Sequence, residues 1–115
     1  MEILRTSTRT RDIFTVVSLP GELDHSNSHM AGVACQQALD SSDKPHLILD
    51  LAELAFMDSS GLAVLMRAYQ ISAALQGTIA LAGASERIER TLSIAGLTGI
   101  IPTYATVDAA IAVQF

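Results

Sequence analysis

The order of apolar and polar residues divides the chain into short strands and amphipathic helices that alternate. Residues 47–51 and 78–82 form short, almost continuous apolar runs, which are typical of parallel strands buried on both faces. Elsewhere, apolar residues recur at intervals of three and four, the spacing of a helix with one face toward a core. Two strand-like segments open the chain, and helix and strand then alternate, so we expect helical crossovers between parallel strands. The pattern therefore predicts one α/β domain over residues 1–115, a mixed sheet of about five strands with helices packed against it.

Turn and capping residues set the limits of the predicted elements. Strands at 2–8 and 13–19 are joined by a polar turn at 9–12, and Pro20 and Gly21 end the second strand. Three further strands are predicted at 47–51, 78–82 and 100–101. The first helix is capped by Asp24 or Ser26 and runs to about residue 40, and the second begins at Ser59 and stops at Gly77. The last two helices are predicted at 85–94 and from Thr106 to 113. The inner face of the helix from Ser59 is predicted to consist of Leu62, Leu65, Met66, Tyr69 and Ala73.

Composition narrows the classes of function. Half of the residues are hydrophobic, but only 4% are aromatic and tryptophan is absent, so we expect an aliphatic core. The net charge of −5 and the lack of a basic cluster beyond residues 5–11 argue against a nucleic-acid surface, which needs Lys and Arg to neutralise phosphates. A single cysteine, Cys35, excludes an intrachain disulfide. Without a signal-peptide pattern or an apolar run of about 20 residues, we expect a soluble, cytoplasmic protein that does not bind a membrane.

A serine pair stands where the central helix is predicted to begin. Asp58-Ser59-Ser60-Gly61 follows a strand and a short loop, so its hydroxyls lie beside backbone N–H groups that lack a partner within the helix. Ser59 can be a helix cap, which contributes about 1 kcal/mol, and at the same time a surface hydroxyl that a kinase can reach. Asp58 can be a capping or turn residue, or a residue that a partner recognises. Position alone leaves these alternatives open.

The other reactive side chains do not suggest a catalytic or metal site. His25 and His29 are four residues apart, which would place both rings on one helix face, but no third ligand is near. Cys35 lies on an apolar helix stripe, as a buried, inert thiol would. Ser59 lacks the first glycine of a Gly-x-Ser-x-Gly elbow, since Met57 stands there, and no base is evident. We therefore expect no enzyme activity, no metal and no cofactor.

Three segments of the chain resemble the STAS domain of anti-sigma factor antagonists. They are Phe56-Met57-Asp58-Ser59-Ser60-Gly61-Leu62, Gly21-Glu22-Leu23-Asp24-His25 and Ala95-Gly96-Leu97, which stand in the order and spacing of that family. The resemblance spans nearly the whole chain and implies a STAS-type fold for residues 1–115. It also implies that Ser59, rather than Ser60, is the phosphoacceptor. The surface that a partner binds would include Asp24, Asp58, Ser60 and Gly61, with Gly61 leaving room for the partner's backbone.

The resemblance implies the function of an anti-sigma factor antagonist. The unphosphorylated protein would bind an anti-sigma factor of the serine-kinase type and free a sigma factor. The kinase would inactivate the protein by phosphorylating Ser59, and a serine phosphatase would restore it. An alternative is a STAS interaction subunit of a stress-signalling or transporter assembly that has no phosphorylation cycle. A third function, an enzyme with Ser59 as nucleophile, would need a base that the sequence does not provide.

Overall fold

The computed structural model of the protein describes residues 7–11, 13–41 and 45–114. These residues form alternating strands and α-helices, with one 3₁₀ turn at Leu97–Gly99 between the third helix and the last strand. In chain order the elements are β1 (Ser7–Arg11), β2 (Phe14–Ser18), β3 (Glu22–Leu23), α1 (Ser28–Leu39), β4 (His46–Asp50), β5 (Phe56–Met57), α2 (Ser59–Ala74), β6 (Thr78–Ala82), α3 (Glu86–Ile94), β7 (Thr103–Tyr104) and α4 (Val107–Gln114).

The main sheet has five strands in the order β1-β2-β4-β6-β7, and a separate small sheet pairs β3 with β5. β1 and β2 form an antiparallel hairpin, whereas β2, β4, β6 and β7 are parallel. Each connection between neighbouring parallel strands contains one helix, α1, α2 or α3. The predicted mixed sheet with helical crossovers is therefore confirmed.

Helices cover both faces of the main sheet, and each face has its own apolar core. The larger core joins Leu47, Leu49 and Leu81 of the sheet to Leu65 of α2 and Leu92 of α3. Side chains alternate between the faces of a strand, so the neighbours of these residues point the other way. They form a smaller core with α4 that consists of Phe14, Val16, Ile48, Ala80, Ala82, Val107, Ala110 and Ile111. In the part of the chain that the structure describes, no helix combines the length and apolarity needed to cross a membrane.

The opening hairpin differs from its prediction. β1 continues through Arg11, so the chain reverses between Arg11 and Phe14 and not over residues 9–12. Arg9 of this edge strand uses its polar side chain to reach two other strands: the guanidinium donates to Ser18 Oγ of β2 over 2.8 Å and pairs with Asp50 of β4 over 3.3 Å. Residues 2–6 and 12 of these predictions lie outside the described residues.

The last strand also differs from its prediction. Residues 100–101 were expected to form it, but β7 begins after Pro102. Ile101 is buried just after the 3₁₀ turn, and its N–H donates to the carbonyl of Leu97 over 2.8 Å. Two adjacent apolar residues suit a buried turn as well as a strand, so the pattern could not separate the two. By contrast, the strand at 78–82 and the helix cap at Thr106 are confirmed, the latter by a bond of 3.0 Å from the N–H of Ala109.

The buried face of α2 is rotated from the predicted one. Leu65 is buried as expected, and Leu62, Met66 and Tyr69 are only half-buried, while Ala73 is exposed. The positions that are buried are Gly61, Val64, Leu65, Ala68 and Ser72. The cause is that α2 packs against α1 as well as against the sheet, so a second side of the helix is covered. A single stripe in the sequence does not reveal that second contact.

Candidate partner-binding site at the start of α2

The small sheet of β3 and β5 brings two distant segments of the chain together. Leu23 lies opposite Met57 in parallel register, and the N–H of Asp58 donates to the carbonyl of Leu23 over 3.3 Å. The carboxyl ends of parallel strands lie at the same edge of a sheet. Residues 24–27, which follow β3, therefore meet residues 58–61, which follow β5. All of the predicted site residues belong to these two segments.

Asp58 is the N-cap of α2 and also holds the loop at 24–27. Its Oδ1 accepts hydrogen bonds from the N–H groups of Ser60 at 2.8 Å and of Gly61 at 3.2 Å. Its Oδ2 accepts from the N–H of His25 at 3.3 Å. Because the carboxylate satisfies two N–H groups that have no partner inside the helix, it stabilises the start of α2. One side chain thus ties this helix to the loop beside it.

Ser59 is the first residue of α2, and it is exposed. Of the two capping alternatives that the sequence left open, Asp58 and not Ser59 is the cap, because Asp58 occupies the cap position with extended backbone angles and provides the accepting oxygen. Within the described residues, no hydrogen bond engages the Ser59 hydroxyl. A capping hydroxyl would be held against the backbone, whereas this one is open to solvent.

The two residues after Ser59 have different surroundings. Ser60 is half-buried and lines a groove between α1 and α2. Gly61 is buried, and a Cβ placed on it would lie 2.5 Å from Cγ of Met57 and 2.6 Å from the carbonyl oxygen of Leu23. The expectation that Gly61 leaves room for a partner's backbone is therefore corrected. The room is filled by β3 and β5 of this chain, and the glycine allows α2 to pack against them.

Asp24 organises the loop before α1 and does not cap that helix. Its Oδ1 accepts from the N–H of Ser26 at 2.9 Å and from the Ser26 hydroxyl at 2.6 Å. The N-cap position of α1 belongs to Asn27, whose side chain makes no bond to the N–H groups of the helix. The prediction that Asp24 or Ser26 caps α1 is thus wrong, because both side chains are used inside the turn.

Asn27 is the residue of this site that the sequence analysis did not single out. It is 7% exposed, and its side chain bonds backward along the chain. Oδ1 accepts from the N–H of Asp24 at 2.9 Å, and Nδ2 donates to the carbonyl of Glu22 at 2.7 Å. Asparagine directly before the first helical residue was an available signal, because it is favoured both at caps and in turns. Its function here is to fix the backbone that carries Asp24.

The site is negatively charged. The hydrogen bond from the Ser26 hydroxyl lowers the pKa of Asp24 below its ordinary value, so this carboxyl is ionised at neutral pH. Asp58 adds a second carboxyl next to the exposed Ser59 hydroxyl. A partner that binds this edge therefore meets a surface on which further negative charge is unfavourable.

The histidines and the cysteine near these helices have different surroundings. His25 and His29 do not share a helix face, because His25 lies in the turn before α1. No group of three side chains able to hold a metal ion occurs among residues 7–11, 13–41 and 45–114. Burial raises the pKa of the Cys35 thiol to about 12, as expected of an inert core cysteine.

Comparisons with known proteins agree with this architecture. The model of the family described as the STAS domain matches residues 5–110. The anti-sigma F factor antagonist of Paenibacillus polymyxa is 36% identical to this chain over 89 residues, which are 77% of this chain and 76% of that protein. A solved anti-sigma factor antagonist from Mycobacterium paratuberculosis is 27% identical, with a TM-score of 0.80 over 98% of this chain and 96% of that one.

A third comparison concerns the fold alone. The Bacillus cell fate determinant SpoIIAA in its phosphorylated form is 23% identical to this chain, with a TM-score of 0.73 over 96% of this chain and 99% of that one. Its backbone therefore has the same arrangement of strands and helices. Taken with the family match over residues 5–110 and the relative at 36% identity, these results show that the chain belongs to the STAS domain family.

Proposed function

We propose that this protein is an anti-sigma factor antagonist whose binding is controlled by phosphorylation of Ser59. In its unphosphorylated form it binds an anti-sigma factor of the serine-kinase type, which then releases its sigma factor. The main supporting observation is the exposed Ser59 hydroxyl at the start of α2, which remains free because Asp58 takes over the cap. The names of the relatives from P. polymyxa and M. paratuberculosis support the role of an antagonist.

The proposed partner surface is the edge where residues 24–27 meet the start of α2. Asp24, Asp58 and Ser60 contribute polar groups to this edge, next to Ser59. Gly61 takes part indirectly, since its close packing against Leu23 holds the helix start beside the loop. The hydrogen bond from the His25 N–H to Asp58 joins the two halves of the surface.

A phosphate on Ser59 would change the charge and the hydrogen bonding of this surface. It adds about −1.5 to −2 charge and three acceptor oxygens. Free N–H groups at a helix start commonly bind such an anion, but those of Ser60 and Gly61 already bond to Asp58. The phosphate therefore competes with a carboxylate for the same donors. Like-charge repulsion beside Asp58, together with the cost of desolvating the phosphate, then weakens partner binding.

The proposed cycle needs two partner enzymes and no cofactor in this chain. The bound kinase transfers the γ-phosphoryl group of ATP to Ser59 Oγ, ADP leaves, and the hydroxyl proton passes to a base of the kinase. A serine phosphatase hydrolyses the phosphoserine and restores the binding form. The protein is a substrate and a binding module in this cycle, not an enzyme. It acts in the cytoplasm, where sigma factors bind RNA polymerase.

Capture of the partner followed by phosphorylation tests this function. The unmodified protein serves as bait, and the captured kinase is then supplied with ATP. We expect one phosphate per chain, located on Ser59 by peptide mapping, with none added to Ser59→Ala and a full equivalent added to the matched control Ser60→Ala. A phosphate on Ser60 would contradict the assignment. A captured partner without kinase activity would favour the interaction subunit that lacks a phosphorylation cycle.

A further inference from the structure

A groove of about 570 Å³ runs between α1 and α2. Because β2, β4 and β6 are parallel, the two crossover helices run in the same direction. The groove begins near Ser28 and Ser60, at the helix starts, and extends to Leu39 and Ile71. Its volume lies within the range of about 300–1,000 Å³ that is typical of sites for small molecules.

The walls of the groove are mainly apolar, and a glycine widens it. Val33, Val64 and Ile71 contribute aliphatic side chains. Gly32 lies inside α1, where a glycine costs roughly 0.5–1 kcal/mol relative to alanine. A Cβ on Gly32 would meet nothing within 4 Å, so no packing inside the described chain requires the glycine. The absent side chain leaves space that is open to a molecule from outside.

The charge of the groove is opposite to that of the chain. The sequence has 12 acidic and 7 basic residues, yet no acidic residue is among those that line the groove. Arg67 does line it and is exposed, and it has no ion pair with another described residue. The neighbouring Gln36 amide is engaged by Asp40 at 3.2 Å. Arg67 is thus an exposed charged donor beside aliphatic side chains, and no described carboxylate pairs with it.

We propose that this groove binds an amphipathic carboxylic acid, with the carboxylate on Arg67 and the aliphatic part between Val33, Val64 and Ile71. A guanidinium presents parallel donors that match a carboxylate, and one such group beside aliphatic walls fits a ligand with one anionic head and one apolar body. This site does not depend on the proposed phosphorylation cycle. It reaches Ser60, the residue after Ser59, so an occupied groove adjoins the start of α2.

Titration with octanoate, below the concentration at which it forms micelles, tests the site. Calorimetry should give saturable binding, and the amide NMR signals of Gly32, Val64 and Arg67 should shift. Arg67→Gln should weaken binding about tenfold or more, since the charge-assisted pair is lost. Its matched control is Arg87→Gln, an exposed arginine on α3 outside the groove, which should bind octanoate as the wild type does. Octan-1-ol, which lacks the carboxylate, should bind more weakly.

A second pair of variants tests the volume of the groove independently of charge. Gly32→Leu places a side chain in the open space and should abolish binding while the melting temperature is kept or raised. Gly99→Leu adds the same side chain at another glycine with nothing within 4 Å and should have no effect on binding. Equal affinity of wild type and Arg67→Gln, or no saturable signal at millimolar octanoate, would overturn the proposal. The proposal would also be overturned if, without ligand, the NMR signals of the groove amides shifted with protein concentration and the protein had twice the mass of one chain. A second copy of the protein would then cover the groove.

Discussion

The starts of α2 and α3 use serine in opposite ways. α3 follows the N-cap Ser85, whose hydroxyl accepts a hydrogen bond from the N–H of Ile88 at 3.2 Å. α2 follows the N-cap Asp58, and Ser59 is already the first helical residue. The hydroxyl of Ser85 is therefore engaged by the fold, whereas that of Ser59 is not. A serine at a helix start thus keeps its hydroxyl free of the backbone when the preceding residue provides the cap.

The two helix starts also differ in what lies beside them. The first turn of α3 carries Glu86 and Glu89, whose negative charge is favourable near the positive end of the helix dipole. The first turn of α2 has no acidic residue beyond its cap, and Gly61 brings it into close contact with β3 and β5. The start of α3 is stabilised by its own residues. The start of α2 is capped by Asp58 and is also held by close packing of Gly61 against β3 and β5.

The largest expected effect is the loss of stability when the buried leucine of either helix is truncated. Leu65 of α2 and Leu92 of α3 are both fully buried in the larger core. Each change to alanine should lower the free energy of unfolding by about 2–5 kcal/mol, as measured by urea denaturation. Ile94→Ala, at a position of α3 that is 83% exposed, is the control and should stay within about 0.5 kcal/mol. An unchanged midpoint for Leu65→Ala would show that α2 does not pack as described.

A smaller effect is expected from the contact that distinguishes the start of α2. Gly61→Ala forces a Cβ against Met57 and the backbone of Leu23 and should cost about 1–3 kcal/mol of stability. Gly32→Ala makes the same change inside α1, where space is open, and should be neutral or stabilise by up to about 1 kcal/mol. Denaturation curves of both variants provide the measurement. If Gly61→Ala were as stable as Gly32→Ala, the small sheet would not hold the helix start.

The smallest effects on stability are expected from substitutions at the two helix starts. Asp58→Ala and Ser85→Ala each remove a capping acceptor and should cost roughly 0.5–2 kcal/mol. Ser59→Ala removes a hydroxyl without a capping role and should change stability by less than about 0.5 kcal/mol. Thermal unfolding of the three variants checks this order. A loss for Ser59→Ala as large as that for Ser85→Ala would mean that both serines cap and that the contrast between α2 and α3 is absent.

Much of the fold could be predicted where the sequence signal is long and local. The apolar run at 78–82 matches β6, the helix predicted at 85–94 matches α3 to within one residue, and the predicted cap Thr106 matches the start of α4. β3 and β5 escaped prediction because two residues are too few to show an alternation, and their hydrogen bonds join segments more than thirty residues apart. Such pairing depends on tertiary structure, which local patterns do not encode.

The same reason explains the errors at the candidate site. Asp58 and Ser59 are both good capping residues, and a sequence cannot say which of them adopts the extended backbone of a cap. The pairing of Asp58 with Leu23 across the small sheet fixes that choice. Likewise, Asp24 and Ser26 bond to each other, and Asn27 occupies the cap position of α1. The sequence named Asp24 and residues 58–61, which the structure brings together, but it did not name Asn27 or show which side chains cap the helices.

Calorimetry of three forms of the protein against the captured anti-sigma partner shows whether phosphorylation of Ser59 controls binding. Unmodified wild type and Ser59→Ala should bind equally well, because the hydroxyl has no capping role. Stoichiometrically phosphorylated wild type should bind about 3 kcal/mol more weakly, which is roughly two orders of magnitude in affinity. Equal affinities for Ser59→Ala and the phosphorylated protein would contradict the account and remove Ser59 as the switch.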